Sequence, residues 1–136
     1  LRILCYHGIW LGPSSFPGDS MFMRAQDFAR RMRMIQTMGY NILPLAEAID
    51  RLQSGRLPPE AAVITIDDGW HGTFRVMLPI LRELRLPATL YCDTAHLEWG
   101  RPIPHVMVTY LKRCAPAPTP PAAEALYSAA TDLSIT

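Results

Sequence analysis

The chain has 136 residues, 49% of them apolar and 18% charged, with a formal net charge of +1. That length suits one domain with a core of its own. The composition excludes a disordered chain, the near-zero charge excludes a broad nucleic-acid footprint, and no apolar run approaches the ~18 residues of a membrane span.

Leu1 to Tyr6 (LRILCY) predicts a first strand, ended by His7-Gly8. Residues 11–20 (LGPSSFPGDS) hold two prolines and two glycines and read as loop. A helix begins around Arg24, with Phe28, Met32, Ile35 and Met38 at helical spacing and Gly39 suited to end it. Tyr40 to Leu43 is a short second strand. Pro44 suits the first turn of a second helix, whose inward face is Leu45, Ile49 and Leu52 and which Gly55 stops. Leu57-Pro58-Pro59 is a linker, and Ala62 to Ile66 is the third strand. A third helix spans roughly Thr73 to Arg85 with Phe74, Met77, Leu78, Leu81 and Leu84 inward. Pro79 inside it predicts a kink or a late start. Ala88 to Cys92 is a fourth strand, with Asp93-Thr94 at its carboxyl end.

This β-α-β-α-β-α-β order with short connections predicts an α/β fold with a parallel sheet. Residues 1–95 form that unit. Residues 96–136 read as an insertion or linker: loop from Trp99 to Pro104, a helix from His105 to Cys114, and a Pro/Ala-rich stretch over 115–123. Cys5, Cys92 and Cys114 are odd in number and lack C-x-x-C spacing, so neither a disulfide framework nor a zinc knuckle is signalled. Cys5 and Cys92 lie in apolar runs and read as small core residues. The chain begins at Leu1 rather than Met, and the expectation is that its natural N-terminus lies upstream, which leaves targeting signals open.

The stretch around which the rest is organised is Val63-Ile64-Thr65-Ile66-Asp67-Asp68-Gly69-Trp70. Its first half is short, apolar and β-branched, as a buried strand is. Asp67 and Asp68 then sit at the carboxyl end, where α/β folds place their chemistry. Adjacent carboxylates repel, and burying either is costly without a cation or donors. Gly69 lets the backbone turn away. A plain strand-to-helix turn, with Asp68 as the cap, is the other reading. His7 ends the first strand and so faces the same mouth, as a pocket residue or a support for the site rather than plain core. Trp70 reads as packing at the rim, with sugar stacking as the alternative. Tyr91 and Asp93 are pocket candidates at the fourth strand's end, His71 belongs to a first helical turn, and His96 and His105 read as surface residues.

In order along the chain, Tyr6-His7-Gly8-Ile9, Phe28 through Gly39-Tyr40, Thr65-Ile66-Asp67-Asp68-Gly69, and Leu78-Pro79-Ile80-Leu81 followed by Leu86-Pro87-Ala88-Thr89-Leu90-Tyr91 resemble the motifs of the polysaccharide deacetylases. These are the NodB-homology group, carbohydrate esterase family four. The third segment resembles that family's T-F-D-D-G, with Ile66 in place of Phe. The resemblance covers residues 1 to about 95. It implies a distorted, partial (β/α) barrel and a hydrolase acting on carbon–nitrogen bonds other than peptide bonds, or on acetyl esters. The substrate it implies is an acetylated polysaccharide, and the location lies outside the cytoplasm.

The resemblance also implies a divalent metal, commonly zinc, held by one aspartate and two histidines. Asp67 would then be the general base and Asp68 the metal ligand. The family's H-x-x-x-H pair has no match: the histidines are His7, His71, His96 and His105. The 136 residues are therefore expected to be the N-terminal part of a deacetylase domain. Alone they should be inactive, bind zinc weakly for want of a third ligand, and self-associate through open sheet edges. Two alternatives stand beside this. One is a non-catalytic domain of the same fold that binds glycan. The other is a magnesium-dependent phosphohydrolase, disfavoured because that chemistry wants two acids separated by one residue and position 69 is glycine.

Overall fold

The structure is a computed structural model that describes residues 1–12 and 21–100. The chain divides after Asp93 into two compact units. The first begins with strand β1, Arg2–Tyr6, followed by β2, Gly8–Ile9, β3, Phe22–Met23, helix α1, Ala25–Thr37, β4, Asn41–Ile42, and α2, Leu45–Gln53. Then come β5, Ala61–Ile66, a π-helical turn over Thr73–Met77, α3, Leu78–Glu83, and β6, Thr89–Leu90. In the second unit the described element is α4, Thr94–Trp99, which has no counterpart among the sequence expectations. The helix over 105–114, the Pro/Ala stretch, His105 and Cys114 lie outside the described residues.

The expected parallel α/β sheet is present. β5 is its centre, and all six of its residues are buried. β1 runs parallel along one edge of β5, from Arg2 opposite Ala62 to Tyr6 opposite Ile66. β4 pairs with the start of β5 at Ala61 and Ala62, and β6 pairs with its end at Thr65 and Ile66. Backbone bonds from Leu43 to Ala62 and from Tyr91 to Ile66 leave the same edge of β5, since carbonyls of like parity point one way. β4 and β6 therefore share that edge, one above the other. The fourth strand, expected over Ala88 to Cys92, keeps only Thr89–Leu90. Its partner β5 ends at Ile66, and one further bond, Tyr91 N–H to the Ile66 carbonyl (2.8 Å), is all that remains to be made.

On one face of the sheet Tyr6, Ile64 and Ile66 meet Phe28, Met32 and Ile35 of α1 together with Met77 and Leu81. The Tyr6 and Phe28 rings meet edge to face at 5.2 Å. Burying each large apolar side chain here contributes about 1.5–3 kcal/mol. Met38, the last member of the expected stripe, is exposed, since it caps the helix rather than lying within it.

Several inward assignments need correction. In α2 the buried residue is Ala48; Ile49 and Leu52 are exposed. The contact face of α2 is centred on Ala48, so Ile49 and Leu52 fall outside it. In the third helix Phe74 is 67% exposed, while Thr73 and Met77 are buried. The π-helical turn fits one extra residue into the helix and rotates what precedes it. The α-helical segment starts at Leu78, which places Pro79 in its first turn, where a missing N–H is tolerated.

Cys5 and Cys92 are exposed rather than core. Side chains alternate along β1, so Ile3 and Cys5 lie on the face opposite Leu4 and Tyr6. Ile3 is 62% exposed there. A small parallel pair, β2 with β3, was also not legible in the sequence. Gly8 lies opposite Phe22, and the Gly8 and Trp10 N–H groups donate to the Met21 and Met23 carbonyls. Two residues are too few to show a period. No helix among the described residues is long and apolar enough to cross a membrane.

Candidate active site at the carboxyl end of the central strand

The pairing of β1 with β5 continues one step past Ile66, where the Asp67 N–H donates to the Tyr6 carbonyl (2.9 Å). The chain then reverses. Asp68 and Gly69 have φ of 72° and 74°, and the Gly69 N–H donates to the Asp67 carbonyl (3.0 Å). Aspartate tolerates this left-handed conformation better than most residues, and glycine adopts it freely. Gly69 is also tight against β6's continuation: a Cβ there would lie 3.1 Å from Cys92 Sγ. Gly69→Ala is therefore expected to destabilise the fold by about 1–2 kcal/mol from backbone strain alone. Urea unfolding of the variant against Gly39→Ala, which is also at positive φ but has open space around it, separates strain from crowding.

The reversal sends the adjacent carboxylates in different directions. Asp67 Oδ2 accepts from the Cys5 thiol at 3.2 Å and lies 3.8 Å from His7 Nε2. The strand register explains this meeting. Cys5 is opposite Thr65, and one pleat further His7 and Asp67 fall on the same face. About a third of each side chain, His7 and Asp67, is exposed. The Cys5 thiol is pushed up from its ordinary pKa, first by desolvation, then by the bond it donates to Asp67 and by the charges of Asp67 and Asp68; a bond with Thr65 acts the other way.

Asp68 turns elsewhere. Its Oδ2 accepts from the indole N–H of Trp70 at 3.0 Å. Trp70 in turn meets Phe22 edge to face at 5.0 Å, and Phe22 stacks near Trp10 at 4.8 Å. Gly8 leaves room for Phe22, whose ring a Cβ there would strike at 2.3 Å. Gly72 packs so closely on β2 that its Cβ would sit 2.8 Å from the Ile9 carbonyl oxygen. The first turn after Trp70 is thereby fixed against β2, with His71 exposed on it.

Of the residues expected at the site, His7 and Asp67 are brought together, Asp68 and Trp70 are joined to each other, and Gly69 makes the turn between them. Tyr91 is held by its backbone bond to the end of β5, with its ring exposed. Asp93 lies two residues beyond, also exposed. Cys5 is the residue that sequence reasoning missed. Its signal was there: it stands two positions before His7, on the same side of a strand.

No family model matches the chain. It is 33% identical over 92 residues to the Bacillus subtilis (strain 168) protein YxkH, whose name assigns it to the polysaccharide deacetylases; the match covers 67% of this chain and 31% of that protein. Among solved structures, the Streptococcus pyogenes deacetylase PplD, solved in complex with acetate, is similar with a TM-score of 0.64 at 26% identity. That match covers 74% of this chain and 45% of that one. A de-N-acetylase from Aggregatibacter actinomycetemcomitans is similar with a TM-score of 0.60 at 25% identity, covering 71% and 38%.

The chain thus spans between about a third and a half of the length of these relatives. Its parallel strands, with acids at the carboxyl end of the central one, alternate with helices in the manner of a (β/α) barrel. By sequence and by fold the chain is related to the polysaccharide deacetylases, the NodB-homology group.

Proposed function

We propose that this chain is part of a hydrolase that removes acetyl groups, on nitrogen or oxygen, from a polysaccharide. The observation that carries the proposal is the divergent pair Asp67 and Asp68 at the end of β5, in a chain related to deacetylases. Asp67 takes the proton of the attacking water, with the His7 imidazole beside the same carboxylate oxygen. Asp68, oriented by Trp70, would be one ligand of a divalent metal, zinc in the first instance. When bound, such an ion supplies a Lewis acid for the acetyl carbonyl.

The residues present do not by themselves fit that zinc. A catalytic zinc typically takes three protein ligands. Among the described residues the donors that converge are Cys5, His7 and Asp67, without Asp68, and the chain has no H-x-x-x-H pair. The proposal therefore gives the 136 residues alone little or no turnover. That same shortfall favours, for these residues by themselves, the reading of a glycan-binding domain without catalysis.

The deciding experiment titrates acetylated and fully deacetylated glucosamine oligomers into the isotope-labelled 136-residue chain. Shifts confined to the neighbourhood of Asp67, Asp68, Trp70 and Tyr91, stronger for the acetylated oligomer, are expected. Oligomers that bind nowhere would remove the glycan reading, and rapid acetate release with zinc would overturn the inactivity of the chain alone. Sedimentation of the same sample tests self-association through the exposed Ile3 face of β1, for which a monomer at all concentrations is the adverse result.

A further inference from the structure

We propose that Cys5, His7 and Asp67 form a binding site for a thiophilic divalent cation of the zinc–cadmium class. This site is distinct from the one that Asp68 would serve, and it does not rest on the deacetylase reading.

The three donors come from two strands whose backbones are already fixed. β1 pairs with β5 along its whole length, and the Asp67 N–H to Tyr6 carbonyl bond locks the last step. Cys5 on β1 and His7 just past its end stand one pleat apart, and Asp67 faces them from just past the end of β5. One oxygen, Asp67 Oδ2, is 3.2 Å from Cys5 Sγ and 3.8 Å from His7 Nε2, and the three ligating atoms all lie within 4.8 Å of one another.

The two separations from Asp67 Oδ2, 3.2 and 3.8 Å, bracket what a tetrahedral ion requires. Metal–sulfur, metal–nitrogen and metal–oxygen bonds of zinc length put ligand atoms about 3.4–3.6 Å apart at a tetrahedral angle. A cation placed among the three draws their ligating atoms, now within 4.8 Å of one another, together by rotation of side chains that stand on fixed strand ends. His7 and Asp67 are each about one-third exposed, so ions can enter and water can take the fourth position.

The donor set also selects the ion. One sulfur, one imidazole nitrogen and one carboxylate oxygen suit zinc and cadmium, whereas magnesium and calcium want oxygen ligands in larger number. The thiol proton leaves to solvent when the sulfur binds. The expectation of weak zinc binding counted ligands around Asp68; the three donors here gather around Asp67 instead. If Asp67 is the general base, a cation held there covers it.

The test uses cadmium ions and the 136-residue chain with Cys92 and Cys114 both changed to serine. An ultraviolet thiolate-to-cadmium charge-transfer band should appear and saturate at one equivalent, and zinc should displace it. Cys5→Ser in that background should abolish the band. His7→Ala and Asp67→Asn, each keeping the thiol, should retain the band but weaken cadmium affinity at least tenfold. Zinc should also slow alkylation of Cys5 in the parent chain, a readout that needs no variant to fold. A band that survives Cys5→Ser, an affinity indifferent to both His7→Ala and Asp67→Asn, or alkylation unaffected by zinc would each overturn the proposal.

Discussion

Asp67→Asn lowers acetate release by about two to four orders of magnitude in any deacetylase-active protein that carries these residues, which is the usual worth of a positioned general base. The amide keeps the shape and can still meet the Cys5 thiol and His7, but it cannot take a proton from water. Metal bound through Asp68 should stay. Asp68→Asn should lower activity and metal content together, because it removes a ligand charge and leaves the Trp70 indole N–H without its carboxylate. Metal analysis beside acetate release on one acetylated oligomer distinguishes the two. Equal loss of metal in both variants would show that the roles are shared or exchanged. The measurement belongs in a Cys5→Ser background, so that a cation on the thiolate site is not counted with the one on Asp68.

The two neighbouring carboxylates meet different partners, which is why different roles are proposed for them, because the backbone turns between them. A strand that simply continued past Ile66 would place Asp67 and Asp68 on opposite faces of the sheet. The left-handed conformation at Asp68 and Gly69 instead breaks the strand, and the second carboxylate is met by the Trp70 indole. This was partly legible in the sequence. Two acids followed by glycine at the end of an apolar run marked the place and the turn. The direction of each carboxylate was not legible, since it depends on two φ angles and on an indole two residues on. The sheet was legible for a similar reason: Ala61 to Ile66 is buried on both faces and its run of apolar residues shows it.

What sequence reasoning got wrong lies at the margins of that sheet. Ile49, Leu52 and Phe74 have the right spacing for a buried face, yet the first two lie outside a contact face centred on Ala48 and the third stands where a π-helical turn shifts the phase. Periodicity reports which side of an element is apolar; it does not report where the neighbouring layer ends. Cys5 was assigned to the core for the same reason. It is apolar in its context, but the face of β1 that carries it has Ile3 and Cys5 open to solvent and leads up to His7 and Asp67.

Phe28→Ala is expected to cost about 3–5 kcal/mol, the usual loss for emptying a buried aromatic site. Against a total stability of about 5–15 kcal/mol for a domain, that is enough to leave the chain partly unfolded under mild conditions. Phe28 is fully buried, and so are Met32 one turn on and Met77 across the core. Neither neighbour can fill the gap without leaving its own contacts. Met34→Ala on the same helix makes the control, since Met34 is half exposed and surface changes of that kind stay within about 0.5 kcal/mol. Urea unfolding of both variants measures the difference, and a Phe28→Ala midpoint close to that of Met34→Ala would show that the helix does not anchor the core. The loss should also reach the site. Phe28 supports the Tyr6 ring edge to face, Tyr6 lies between Cys5 and His7 at the end of β1, and its carbonyl holds the Asp67 N–H. Alkylation of Cys5 should accordingly speed up in Phe28→Ala below the unfolding transition and stay unchanged in Met34→Ala, because loosening Tyr6 releases the strand end that brings the thiol to Asp67.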